Sequence, residues 1–160
     1  MIADLQDLVT SAVTEVFSTM LGMKMAPAPL ESGFANGEAH VAGAVGFIGR
    51  LSGVVYIYTT ASFAREITST LLHLEKSEIS GDEMVNDAMG EMANMLVGHM
   101  KSRLADRGMP CALTIPSVVR GSHFSVESIS SIEGHAFSFE TAQHRIFIQF
   151  LLKPSGANQN

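Results

Sequence analysis

The 160-residue sequence holds one cysteine, no tryptophan and two tyrosines. A lone Cys111 excludes an intrachain disulfide framework, and with no second cysteine near it there is no zinc motif. Cys111 reads as a small core residue at the start of a strand. Basic residues are scarce too: 10 Lys and Arg face 16 Asp and Glu, a formal net charge of −6, and the isoelectric point is near 5.4. That balance argues against a nucleic-acid surface. No Lys/Arg cluster is present, which argues against a polybasic membrane patch. No apolar stretch reaches the ~18 residues a membrane span requires. Met1–Asp4 has no basic region followed by an apolar run, so no signal peptide is expected, and a cytoplasmic protein is. The phosphate-cradling patterns GxGxxG and GxxxxGK[ST] are absent, as is the GxSxG nucleophile elbow. His40, His73, His99, His123, His135 and His144 form no HExxH and no pair with cysteine, so no bound metal is expected. His99 reads as a core or boundary residue, and His123, His135 and His144 as surface. Glu31 and Glu38, Glu127 and Glu133, and Asp82 with Glu83 are acidic neighbours without a paired-carboxylate context.

What is present is a core. The sequence is 46% apolar with a mean hydropathy of +0.23, which suits one folded domain. We expect that domain to span residues 1–153, with a loose tail over 154–160. Asp4 can cap a first helix to about Leu21, with Leu5, Leu8, Val9, Ala12, Val13, Val16, Phe17 and Met20 on the helical period and Gly22 as its stop. Residues 23–37 carry Pro27, Pro29, Gly33 and Gly37 and read as irregular, with room for a short edge strand. Residues 38–47 and 52–59 alternate as two strands joined by a glycine-spaced hairpin. The small residues Ala39, Ala42, Gly43, Ala44 and Gly46 suggest a helix lying close on that sheet. Thr60 or Ser62 can cap a short helix to about His73. After Pro110 come residues 112–120, bent or placed at an edge by Pro116, then a strand near 124–130. A hairpin follows, with arms 136–140 and 145–152 that turn at Thr141–Gln143. Helix followed by strands occurs twice, a hint of internal duplication.

The chain is organised around a long helix predicted from Ser80 to about Leu104. Ser80 and Glu83 have capping-box spacing, with Ile79 and Met84 placed as a hydrophobic staple. Val85, Met89, Met92, Leu96, Met100 and Leu104 form its apolar face, where methionines fill core rather than line a groove. On the far side lie Glu83, Asp87, Gly90, Glu91, Asn94, Gly98 and Lys101. Each interior glycine costs a helix roughly 1 kcal/mol against alanine. Yet Gly90, Asn94 and Gly98 form an i, i+4, i+8 row with Glu91 beside it. Two readings stand. Bare backbone around one asparagine admits another protein's surface, or the two glycines seat the helix against its own chain. Of the two Glu-x-x-Asn pairs, Glu83/Asn86 has a job in the capping box, with Asn86 toward the core margin. Glu91/Asn94 has none.

The run Asp87–Gly98 resembles the long helix of the CheC/CheX family of chemotaxis phosphatases, which act on phosphorylated CheY-type response regulators. The family's mark is Glu-x-x-Asn within a helix followed by glycine, as Gly98 follows here. The stretch Gly46–Gly53 resembles the family's hairpin, and Ile115–Gly121 its Pro-x-x-x-x-Gly strand. At the place of the second pair that some members carry, Glu15 is followed by Ser18 instead of asparagine. That fits the CheX branch, with one site per chain, and leaves Glu15 as an exposed helix residue. The resemblance implies an α/β fold, a three-layer sandwich with mixed or antiparallel sheet layers flanked by helices, and a homodimer.

It further implies hydrolysis of a regulator's aspartyl phosphate. Asn94 would position the attacking water and Glu91 would pair with the partner's lysine. Gly90, Gly98, Asp87 and Lys101 would contact the partner, and Mg²⁺ would arrive with the partner, no cofactor belonging to this chain. Two other readings compete. One is a noncatalytic dimeric binding module for a response regulator or flagellar-switch component. The other is a structural domain that buries Asn94 in its own interior.

Overall fold

The structure, a computed structural model, describes residues 2–30, 40–121 and 133–153. The strand expected near 124–130, the tail 154–160, Ala39, His123, Glu31, Glu38 and Glu127 lie outside the described residues. Helix α1 spans Ile2–Leu21, strand β1 Ala26–Ala28, β2 His40–Gly49, β3 Gly53–Thr60 and helix α2 Ala61–Leu72. A 3-10 turn at Lys76–Glu78 leads to helix α3, Asp82–Asp106. Strands β4 (Cys111–Leu113), β5 (Ser117–Gly121), β6 (Glu133–Glu140) and β7 (Arg145–Leu152) complete the chain.

Local chemistry sets most of these boundaries. Gly22, at φ 62, closes α1 in the left-handed region that glycine tolerates. Thr60 caps α2 by accepting from the Phe63 amide. Pro116 separates β4 from β5, because it donates no ladder hydrogen bond. Both strands still pair with β2, antiparallel, along one edge. At the β6–β7 turn the Thr141 hydroxyl accepts from the His144 amide at 3.0 Å.

The start of α3 departs from expectation. Its N-cap is Gly81, which offers no side-chain cap, so the Ser80–Glu83 box does not form. Asp82 and Glu83 instead occupy the first turn, where the helix dipole favours acids. The capping box that exists sits on the preceding 3-10 turn, between Glu75 and Glu78.

Every pairing in the seven-stranded sheet is antiparallel, in the order β1-β6-β7-β3-β2-β4, with β5 also on β2. Alternation puts Val41, Val45, Phe47, Val55, Ile57, Ile146, Ile148 and Phe150 on one face, all buried. The three helices pack over that face and against one another, and no described helix covers the other. The strand order is symmetric about the β3–β7 pair, but a duplication is not shown by that order.

Two observations fix α3 against the sheet. Gly43 of β2 leaves room for it: a Cβ there would meet the Ala93 Cβ at 3.0 Å and the Met89 carbonyl oxygen at 3.2 Å. Val85, Met89, Met92, Leu96 and Met100 then turn inward and are buried. Close approach at Gly43 therefore sets the rotation of the helix, and with it which residues face outward.

Candidate active site on the long helix

With α3 rotated in this way, Glu83, Asp87, Glu91 and Lys101 are exposed, while Asn94 and Gly98 are half-buried. Among the described residues, neither Glu91 nor Asn94 makes a side-chain hydrogen bond or ion pair. Asn94 is not sealed inside the domain, so the reading of it as an interior structural residue is set aside. An amide left in that condition has an acceptor oxygen and donor nitrogen available to a water molecule.

The two glycines differ. Gly98 is open, with nothing within 4 Å of a Cβ built there. Gly90 is buried beneath the side chains of Pro116 and Val118, so its backbone is closed to a visitor. A Cβ on Gly90 would meet those side chains at 3.9 Å, ordinary contact. Packing within the chain therefore demands glycine at neither position.

The first Glu-x-x-Asn pair has a different fate. The Asn86 Oδ1 accepts a hydrogen bond from the Nε of Arg120 on β5. The same guanidinium lies 3.5 Å from the Asp82 carboxylate and donates to the Asp82 carbonyl at 3.4 Å. Arg120 thus clamps the edge strand to the first turns of α3. Sequence reasoning missed it, since nothing local links an arginine on a strand to an asparagine 34 residues earlier.

Glu15 of α1, the partner of Ser18, is exposed but not idle. Its Oε2 lies 2.9 Å from the Nε2 of His99 and 3.8 Å from Arg103. Two groups on α3 thereby hold the carboxylate, and Ser18 supplies no amide beside it. His99 is half-buried at this helix–helix boundary, as its sequence position suggests. His135 and His144 are not free surface residues: each is half-buried beside a carboxylate, Glu133 and Glu66 respectively. Among the described residues no three His, Cys, Asp or Glu side chains gather as a metal site. No described helix is long and apolar enough to cross a membrane.

Comparison with known proteins gives the fold a family. The family model described as "Chemotaxis phosphatase CheX" matches residues 41–140. Among solved structures, the chemotaxis protein CheX of Desulfovibrio desulfuricans is 25% identical with a TM-score of 0.79. The match covers 94% of this chain and 99% of that one. A CheC-like superfamily protein from Shewanella sp. PV-4 is 25% identical with a TM-score of 0.78, over 94% and 97% of the two chains. CheX of Borrelia burgdorferi, solved as a complex of CheX, CheY, BeF3 and Mg²⁺, shares the fold at 20% identity. Its TM-score is 0.75, over 92% and 97% of the chains. No curated protein matches by sequence. A family match over more than half the chain, on a helix–antiparallel-sheet fold shared across nearly its whole length, leads to one conclusion: this chain belongs to the CheX family of chemotaxis phosphatases.

Proposed function

We propose that the chain hydrolyses the aspartyl phosphate of a CheY-type response regulator, with Asn94 positioning the attacking water and Glu91 docking on a lysine of the regulator. One contrast on one helix carries this reading. Asn94 keeps its amide free of internal bonds beside an exposed Glu91, whereas Asn86 is committed to Arg120. The Borrelia relative, solved with CheY, BeF3 and Mg²⁺, supports the partner class.

The chemistry asks little of the chain. An acyl phosphate is already activated, and positioning with charge stabilisation carries most of phosphoryl transfer. The water oxygen bonds to phosphorus and the bond from phosphorus to the aspartyl oxygen breaks. Aspartate leaves as its carboxylate, and the protons of water pass to inorganic phosphate and solvent. The Asn94 oxygen accepts from that water and orients it in line. Mg²⁺ comes with the regulator. Glu91, paired with the regulator's lysine, sets the register of docking. Exposed Asp87 and Lys101 contact the partner beside it and Gly98 leaves backbone bare for close approach, whereas Gly90, covered by Pro116 and Val118, makes no contact with the partner. Work on such a regulator places the chain in the cytoplasm.

We also infer a homodimer. Among the described residues β5 is an edge strand, and its Val119 is 47% exposed. Pairing of such edges between two copies satisfies their free backbone groups. Sedimentation checks this: a single species at the 17.1 kDa of one chain would contradict it.

The test of function is release of inorganic phosphate from phosphorylated regulators of the same organism. Acceleration by the protein supports the proposal. Binding without acceleration assigns the chain to the noncatalytic module instead.

A further inference from the structure

We propose that Ile115, on the corner between β4 and β5, is the apolar anchor of the docking site, a binding residue that covers itself with the same receiver domain that presents phosphate to Asn94. This rests on the docking reading above.

Ile115 is 90% exposed, the most exposed of the large apolar side chains in the described residues. A single exposed isoleucine is ordinary. Its mounting is not. On one side, the Thr114 amide donates to the Gly46 carbonyl at 2.9 Å, and the Thr114 hydroxyl accepts from the Gly46 amide at 2.8 Å. On the other side Pro116 packs over Gly90. A proline also restricts the residue before it to extended backbone. An apolar side chain held out from a fixed backbone loses little conformational entropy when a partner covers it.

Position selects the occupant. Arg120 is bonded to Asn86, and Val118 and Pro116 lie over Gly90. Four helix residues advance about 6 Å, close to two strand residues at about 3.3 Å each. The same progression brings Asn94 level with the Ile115–Pro116 corner. A standard protein interface covers about 800 Å² per partner, a disc of roughly 16 Å radius. A protein that brings phosphorus to the Asn94 amide therefore spreads over Ile115.

The test is the affinity of the full chain for a CheY-type regulator loaded with Mg²⁺ and BeF3, measured by titration calorimetry. It is repeated for Ile115→Ser, Asn94→Ala and, as a control at the opposite sheet edge, Leu30→Ser, which removes a side chain 58% exposed. Ile115→Ser should weaken binding roughly tenfold and raise KM by the same factor, with kcat and the melting temperature unchanged. Asn94→Ala should lose kcat and keep affinity, and Leu30→Ser should change neither. Equal affinities for wild type and Ile115→Ser overturn the proposal. So does conversion of a dimer to a monomer by Ile115→Ser at unchanged regulator affinity, which assigns the residue to a self-contact. If the wild type binds but releases no phosphate, the hydrolytic reading falls and the affinities still decide Ile115. If no regulator binds the wild type, the anchor and the docking reading fail together.

Discussion

Helix α3 carries the same four-residue pattern twice, and the two copies are spent differently. Asn86 is tied to Arg120, with Asp82 on the same guanidinium. Asn94, eight residues on, sits half-exposed with its amide uncommitted. A motif on this helix therefore says nothing by itself. What distinguishes the copies is the edge strand alongside. At Asn86 the strand offers an arginine, and no described side chain bonds to Asn94. A third position, Glu15 with Ser18, shows another outcome: the acid is held by His99 and Arg103 and the amide is missing.

Five substitutions sharpen or break this comparison. The largest effect is expected from Asn94→Ala, which should lower the stimulated rate of phosphate release by a factor of about 10² to 10³, the usual loss for one positioned polar group. Circular dichroism and the melting temperature should not move. Asn86→Ala should do the opposite. It removes the amide acceptor of the half-buried Arg120 and leaves the exposed Asp82 carboxylate as its remaining side-chain partner on α3, at a cost of about 1 kcal/mol in unfolding free energy, read by urea titration. Release per folded molecule should be kept. Were Asn86→Ala to inactivate a fully folded protein, the assignment of roles would be reversed.

Glu91→Gln should raise KM several-fold with little change in kcat, and the salt dependence of docking should weaken with it. Gly98→Ala is a finer instrument. Space is open there, so the helix should gain roughly 1 kcal/mol while regulator affinity falls, because the added methyl stands where the partner approaches. Improved stability with unchanged affinity would show that the bare backbone at Gly98 has no part in docking. Ser18→Asn should have the smallest effect. It restores the Glu-x-x-Asn spelling on α1, but Glu15 stays engaged with α3, and release should not change.

Much of the fold was legible where chemistry is local. Gly22 and the Thr141 turn end and join elements as expected, and of Thr60 and Ser62 it is Thr60 that caps α2; Pro116 lies on the sheet edge as expected but divides the expected segment 112–120 into two strands. The start of α3 was not legible. Ser80 and Glu83 have the right spacing, yet the helix begins at Asp82. A buried Ile79 precedes the start, and Arg120 engages Asp82 and Asn86 from the edge strand β5. Those contacts are long-range, and the local Ser80–Glu83 spacing does not report them. The reason for discounting the first pair changes with them: Glu83 forms no capping box, and Asn86 is occupied by an arginine invisible to helical periodicity. The outward face of Glu91 and Asn94 followed from the 3.6-residue period. The cover over Gly90 and the placement of Ile115 needed the register of β4 and β5 on β2, which no short stretch of sequence encodes.

The most direct test is the time course of inorganic phosphate from a phosphorylated CheY-type regulator, alone and with wild type, Asn86→Ala or Asn94→Ala at equal folded concentration. The account predicts acceleration by the first two and decay at the regulator's own rate with the third. Acceleration by Asn94→Ala equal to that of the wild type would contradict it.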